Sequence, residues 1–372
     1  MIILGKQKLF YYLSRLSLKH ALFFFNGVLA LIIYKFGRKN KANKVILIGS
    51  GDGNYHNNTA ILHNFLMEKY RYTPKIKILW VTHDDNDKFD FPTLRRGTVR
   101  AYLNSFRATV LIFDTVNGDL CPGFMRYTSG TKMLLNHGFD FLKDIGSTYY
   151  QQIAADIITC ASEQEKNVKM NSFGAKKSQL IVTGYPRFDY YKKKCPKQAD
   201  GVVLVMFTWP SEAKDRRTVV ETMRNVCRKM DETEPQISTR IHLHPMLKNF
   251  MESIYKEDDF QDTHNLKSSI ESSAILITDY SSVCWDFFVQ GKKVYFLPSK
   301  NDYANAQLKI LVESGLFNYN PILPDIFSPK DLFKDDNVYP YDLETLKRFI
   351  GTTESQQANK LMSELIEKKC FS

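Results

Sequence analysis

Beyond residue 43 the chain alternates short apolar runs with longer mixed stretches, a rhythm that predicts strands alternating with helices. The runs at 44–48, 75–81, 109–113, 132–135, 155–160 and 180–183 are too short for helices. Most are apolar on successive positions, as strands covered on both faces are. Residues 59–70 read as a helix, and Gly184-Tyr-Pro-Arg187 as a turn. A second series comes after, with strands at 202–207, 237–243, 274–277 and 294–297 and helices at 217–229 and 283–290. Residues 354–369 read as a closing helix that Thr353 could cap. Between the two series, residues 192–200 are rich in lysine and contain Pro196, as a surface linker is. The pattern divides the chain into a segment 1–43 and two α/β domains, 44–195 and 196–372.

Residues 274–298 carry the densest signal. A buried strand runs into Asp279-Tyr280-Ser281-Ser282, then a short apolar helix; Gly291 suits its C-terminal cap, and a second strand comes next. Asp279, Ser281 and Ser282 either cap that helix or, with its free N–H groups, hold an anion at the carboxyl end of the strand. Two histidines occupy comparable places. His137, in Asn136-His137-Gly138, ends the strand 132–135. In Arg240-Ile241-His242-Leu243-His244 the period of two sets Arg240, His242 and His244 on one face before Pro245. A His-x-His pair can also ligate a metal, although no third ligand stands at a characteristic spacing.

The loop Gly49-Ser50-Gly51 lies between a strand and a helix, with Asp84 just past the second strand, but Asn54 stands where a dinucleotide fingerprint has its third glycine. No nicotinamide or flavin cofactor is expected. Asp84, Asp85, Asp87 and Asp90 lack the glycine and final glutamate of a calcium loop and read as a solvated turn.

The N-terminal segment is of another kind. Residues 21–34 are almost wholly apolar, shorter than the ~20 residues of a spanning helix, with cations on both sides. Upstream, Leu9, Phe10, Leu13, Leu16 and His20 approach helical spacing with Lys8, Arg15 and Lys19 between them. This predicts an amphipathic, apolar helix on an anionic membrane surface; the alternative is a helix docked on the core. Charge supports the first. Of the net +11, nine positive charges fall within residues 1–44, which hold no acidic residue, leaving only +2 for the other residues. A body so nearly neutral argues against nucleic acid as a partner. The 372 residues, 44% of them apolar, suffice for two cores. The six scattered cysteines form no Cys-x-x-Cys pair and suit a reducing, cytoplasmic compartment.

Several local patterns, in one order over roughly residues 44–320, resemble the bacterial CDP-glycerol glycerophosphotransferases of teichoic acid and related capsule assembly. Asn57-Asn58-Thr59 resembles the family's Asn-Ser or Asn-Pro helix start. The stretch from Asn136-His137-Gly138 to Gly146 resembles its Trp-His-Gly-Thr-Pro-Leu-Lys-Lys-Ile-Gly, and Gly184-Tyr-Pro-Arg-Phe-Asp189 its Gly-x-Pro-Arg-x-Asp. Phe207-Thr208-Trp209 is similar to its Pro-Thr-Trp, His242-Leu-His244-Pro245 to its Arg-x-His-Pro, and 275–287 to its Leu-Ile-Thr-Asp-Tyr-Ser-Ser-x-x-x-Asp-Phe. The resemblance implies a GT-B-like fold, two Rossmann-like domains facing a cleft, with no cofactor beyond the CDP-linked donor. It makes His137 the general base, and sets His244 on the donor pyrophosphate. It puts Ser281, Ser282, Asp279, Thr208, Trp209 and Arg240 around the donor and Asn58 and Gly138 on the acceptor side. Implied partners are a CDP-alcohol donor and a lipid-linked glycan or growing polymer at the cytoplasmic face of the membrane. Asn136 departs from the family's Trp, Phe139-Asp140 from its Thr-Pro and His242 from its Arg. The first two bear on the acceptor and the polyol more than on the nucleotide. A GT-B glycosyltransferase using a nucleotide sugar is the alternative.

Overall fold

The structure, a computed structural model, describes residues 18–37, 44–51, 53, 55–83, 89–193, 202–210, 213–233, 235–244, 247, 266–297, 301–314, 343–351 and 357–371. Asp84, Asp85 and Asp87, residues 194–200 of the expected linker, Pro245, the Thr353 cap and the upstream half of the N-terminal segment lie outside these residues; the linker's first two residues end a helix instead.

Both series of apolar runs form parallel sheets. The first contains β1 (Lys44–Gly49), β2 (Ile76–Thr82), β3 (Thr93–Arg95), β4 (Val110–Phe113), β5 (Thr131–Leu134), β6 (Ile157–Cys160) and β7 (Leu180–Val182), in the order β3-β2-β1-β4-β5-β6-β7. The second contains β8 (Val202–Val205), β9 (Ser238–Ile241), β10 (Ile275–Thr278) and β11 (Lys293–Phe296), in the order β11-β10-β8-β9. Strands β1, β4, β6 and β10 are buried along nearly their whole length. That explains their unbroken apolar sequences: helices cover both faces, so no face needs polar residues. In each sheet the chain lays strands to one side of its first strand and then to the other. The crevice at such a switch, outside the carboxyl ends, is where these sheets bind ligands.

The helix expected at 59–70 spans Asn57–Lys69, and that at 217–229 extends to Ala213–Thr233. The expected turn at Gly184 leads directly into a helix, Pro186–Lys193, with the proline in the first turn where its missing N–H is harmless. The helix after Ser282 is shorter than expected, Cys284–Val289, with Val283 at its N-cap and no side-chain cap. Asp279, Ser281 and Ser282 therefore do not cap it. Val283 is already in the α conformation, and the backbone N–H groups of Cys284 and Trp285 turn back to the carbonyls of Ser281 and Ser282.

The closing helix, Gln357–Phe371, crosses back to the first sheet rather than staying with the residues before it. Met362, Ile366 and Cys370 join the core of Ile46, Ile48 and Trp80, and Glu367 takes an ion pair from Lys69 at 3.0 Å. A unit running unbroken over 196–372 does not allow for this crossing. One buried cluster also joins the halves, with Phe139, Phe141, Tyr185 and Phe188 packed among Leu276, Trp285, Phe288 and Phe296.

The helix Leu18–Phe36 is both docked and exposed. Its inner face lies on the helix Val99–Arg107 and the loops nearby: Gly27 and Ala30 are buried, and Asn26 Nδ2 donates to the Gly97 carbonyl at 2.9 Å. Gly97 has φ +78°, and any Cβ there would meet the Phe23 ring, so glycine is required twice over. The outer face carries Leu18, Leu22, Phe25, Leu29, Ile32 and Phe36, spaced by three and four residues and roughly half or more exposed. Among the described helices it alone is long and apolar enough to cross a membrane.

Candidate active site

The loop after β5 holds the first candidate. Asn136 has φ +58°, which asparagine tolerates better than most residues. Its side-chain amide donates to the Tyr150 hydroxyl at 3.0 Å and to Asp140 at 3.4 Å, and Tyr150 donates in turn to Asp140. Beneath lie buried charges. Lys169 and Glu165, both fully inaccessible, pair at 3.0 Å, Lys169 reaches the Tyr185 hydroxyl at 3.0 Å, and Tyr185 donates to Glu165 at 2.6 Å. Burial alone would discharge Lys169, but Glu165 and Asp140 outweigh it and hold the ammonium protonated. The departures from the family at 136 and 140 are thus two ends of one hydrogen-bonded unit.

The backbone of this loop is held from outside. Asn58, fully buried, donates its amide to the Asn136 carbonyl at 2.9 Å and accepts the Arg187 backbone N–H at 3.0 Å. Arg187 Nη1 donates to the His137 carbonyl at 2.7 Å, and Nε lies 2.9 Å from Asp286 Oδ1. That last contact is a close ion pair whose N–H is not aimed squarely at the carboxylate, which is why neither atom counts as hydrogen-bonded. Burial raises the Asp286 carboxyl to about 6, with Arg187 drawing it back down. Asn58 is therefore a positioning residue; its amide is engaged by backbone and does not face an acceptor. The imidazole of His137 is exposed and has no hydrogen bond to any described residue.

The second sheet faces this loop with the turn after β10. A Cβ on Gly138 would lie 3.1 Å from Ser282 Oγ, so Gly138 lies directly against that serine. Asp279 accepts from the Thr208 N–H at 2.9 Å, the Thr208 hydroxyl at 3.0 Å and the Tyr280 N–H. It braces the switch point between β8 and β10, with its charge already met by three donors. Ser281 and Ser282 have hydroxyls with no partner among the described residues. Trp209 stacks on His244 at 6.1 Å and 14°, and the Arg216 guanidinium lies over the Trp209 ring at 4.5 Å. His244 is pushed down to about 4, first by burial and then by the charges of Lys143, His137 and His242. Three basic side chains bearing on His244 make this a place where an anion would be favoured.

Arg240 does not join them. Its guanidinium donates to Ser272 Oγ at 2.8 Å, and Ser272 precedes β10, at the opposite end of the strand from the cleft. In the Gly49-Ser50-Gly51 loop the Gly51 N–H donates to Asp114 at 2.9 Å. Among the described residues no group of three or more His, Cys, Asp or Glu is gathered as metal ligands are. Arg187, Asp286 and Lys143 lie within the motifs quoted from the sequence but were given no role there. The available signal was a charge inside an apolar stretch, as in Trp285-Asp286-Phe287 or Phe141-Leu142-Lys143, since a buried charge needs a partner or a ligand.

Comparison with known proteins converges. The model of the family described as CDP-Glycerol:Poly(glycerophosphate) glycerophosphotransferase matches residues 31–312. The teichoic acid glycerol-phosphate primase of Bacillus subtilis (strain 168) is 27% identical over 286 residues, 68% of this chain and 73% of that protein. Among solved structures, the wall teichoic acid polymerase TagF aligns with a TM-score of 0.69 at 15% identity, covering 99% of this chain and 98% of that one. A TagF variant soaked with CDPG gives 0.66 at 17%, covering 95% and 96%. UDP-GlcNAc 2-epimerase from Neisseria meningitidis, bound to UDP-GlcNAc, gives 0.52 at 13%, covering 87% and 100%. At these identities the structural likeness establishes the fold alone, an α/β arrangement of the GT-B kind.

Proposed function

The chain belongs to the CDP-glycerol:poly(glycerophosphate) glycerophosphotransferase family, and from that premise we propose that it transfers glycerol phosphate from CDP-glycerol to a hydroxyl of a lipid-linked glycan or growing teichoic-acid or capsule-type polymer, releasing CMP. The observation that carries this reading is that Lys143, His137 and His242 all bear electrostatically on His244, while the His137 loop meets the turn after β10 at Gly138 and Ser282, where the Ser281 and Ser282 hydroxyls have no partner among the described residues. A diphosphate donor supplies the negative charge that this cleft lacks.

The chemistry needs little more. His137 takes the proton of the acceptor hydroxyl, and the acceptor oxygen attacks the phosphorus that carries glycerol. The bond from that phosphorus to the bridging oxygen breaks, and CMP departs with the electron pair. Glycerol remains on the phosphate throughout, so a phosphodiester forms in the product. His244, neutral before the donor binds, gains a proton more readily once phosphate lies beside it and supports the leaving group. Such a transfer depends on in-line positioning and neutralisation of charge rather than on covalent catalysis. Thr208 and Trp209 lie toward the nucleotide in this reading.

The exposed stripe from Leu18 to Phe36 supports attachment to the membrane as a peripheral protein. It would bring the cleft to acceptors anchored in lipid. A cytoplasmic face agrees with the free cysteines at 121, 160, 227, 284 and 370. The test is to present CDP-glycerol, other CDP-alcohols and nucleotide sugars together with membrane extract and to identify the nucleotide released. CMP from CDP-glycerol is expected. Release of a nucleoside diphosphate from a nucleotide sugar, with no turnover of CDP-alcohols, would replace the proposal by sugar transfer.

A further inference from the structure

Lys143 sits where the 3-10 turn Asp140–Leu142 ends, on the His137 loop and half-buried. The carboxylates within its electrostatic reach, Asp140 and Asp279, are both occupied. Asp140 accepts from Tyr150 and Asn136; Asp279 accepts from two N–H groups and the Thr208 hydroxyl. Lys143 itself has no hydrogen bond or ion pair to any described residue. Cys284, Arg187 and His244 are also within its electrostatic reach, and Arg187 itself bridges the His137 carbonyl and Asp286, between the His137 loop and the helix that follows the turn after β10. Ser281 and Ser282, with unused hydroxyls, lie between Asp279 and Cys284 in that turn. An ammonium on one wall and two hydroxyls on the other, none with a partner among the described residues, is what a tetrahedral anion between the two sheets would use.

We infer that Lys143 is a catalytic residue that grips the glycerol-bearing phosphate of the donor, opposite Ser281 and Ser282, and neutralises the phosphoryl group while it is in transit. This rests on the proposed function and extends it by separating the two donor phosphates. His244 serves the phosphate that leaves with cytidine; Lys143 serves the one that moves. Lys143 keeps its protons throughout, so the acceptor proton still goes to His137. Burial lowers the tendency of Lys143 to be charged, and the nearby carboxylates only partly restore it. The unliganded protein therefore holds this cation at a cost to stability that a bound phosphate relieves.

The experiment measures binding of CDP-glycerol and of CMP to the full chain by calorimetry, alongside thermal midpoints, for wild type, Lys143→Gln and Lys143→Arg. CMP lacks the phosphate assigned to Lys143. Lys143→Gln is expected to weaken CDP-glycerol by about tenfold or more and to lower turnover by about a hundredfold, the scale of one lost charge-assisted contact. It should leave CMP binding within about twofold and the midpoint unchanged or raised, because an unpaired cation is gone. Lys143→Arg should restore part of the donor affinity. Equal weakening of both ligands, or a lowered midpoint with donor affinity intact, would make Lys143 a structural counter-ion and overturn the inference. Wild type that binds neither ligand would instead remove the proposed function on which it rests.

Discussion

Arg187→Met tests how the two sheets hold His137. The substitution keeps the length of the side chain and removes three things: the donor to the His137 carbonyl, the charge beside Asp286, and an Nη2 group that is buried without a partner. Asp286 sets the pH dependence. Its folded carboxyl, at about 6, is raised above its ordinary value by burial. Its contribution to stability is thus fully present below the unfolded value near 3.8 and is lost as pH rises through about 6. Without the guanidinium that loss continues to higher pH. At pH 7 the added loss is bounded at about one pH unit, ~1.4 kcal/mol. The orphaned His137 carbonyl adds roughly 1–3 kcal/mol, and relief of the unpartnered Nη2 offsets part of it. The sum is a destabilisation of about 2–4 kcal/mol at pH 7, smaller by ~1.4 kcal/mol at about pH 5, where Asp286 is protonated in both proteins. Denaturation at several pH values reads both quantities, and turnover should fall by about tenfold or more as His137 shifts. A variant as stable as wild type at pH 7, or a deficit that grows toward acid, would refute the reasoning.

Further consequences can be measured independently. His137→Ala and His244→Ala should each lower turnover by about a hundredfold or more while folding normally; near-normal rates in either would remove its role. Replacing Ser281 and Ser282 together by alanine should weaken CDP-glycerol in calorimetry without altering the thermal midpoint, since neither hydroxyl bonds to any described residue. Because His244 lies near 4 when unliganded, donor binding between about pH 5 and 6 should take up protons, seen as a dependence of binding heat on the buffer; no such dependence would mean that phosphate does not approach this ring. Phe25→Ser with Leu29→Ser and Ile32→Ser should release the protein from anionic vesicles in flotation and leave turnover on a soluble acceptor analogue intact, each lost apolar contact being worth about 1 kcal/mol or more. Unchanged flotation would place the attachment elsewhere.

The parallel sheets were legible because strands covered on both faces, such as 44–48 and 275–278, have no choice but to be apolar. His137 and His244 were legible for a related reason: short strands end abruptly, and the residues just beyond them lie at the carboxyl edge. The brace among Asn58, Arg187, Asp286 and the His137 carbonyl was not, since it joins residues up to 129 positions apart through one guanidinium and one backbone N–H. The apolar run of 21–34 showed that something must cover it, yet not that Gly27 would admit Phe124 and Gly97 would receive Phe23 on one face while the other stays bare. Arg240 shows the limit of strand periodicity. Sharing a face with His242 fixes the side of the sheet but not the end of the strand, and a long side chain reached Ser272 instead.

The central claim is that the glycerol-bearing phosphorus is the atom attacked. CDP-glycerol labelled at that phosphorus, incubated with the full chain and a lipid-linked acceptor, decides it most directly. The account predicts that the label moves into the acceptor together with glycerol, one unlabelled CMP appearing for each transfer. Label retained in a released nucleoside diphosphate, with glycerol alone transferred, would contradict it.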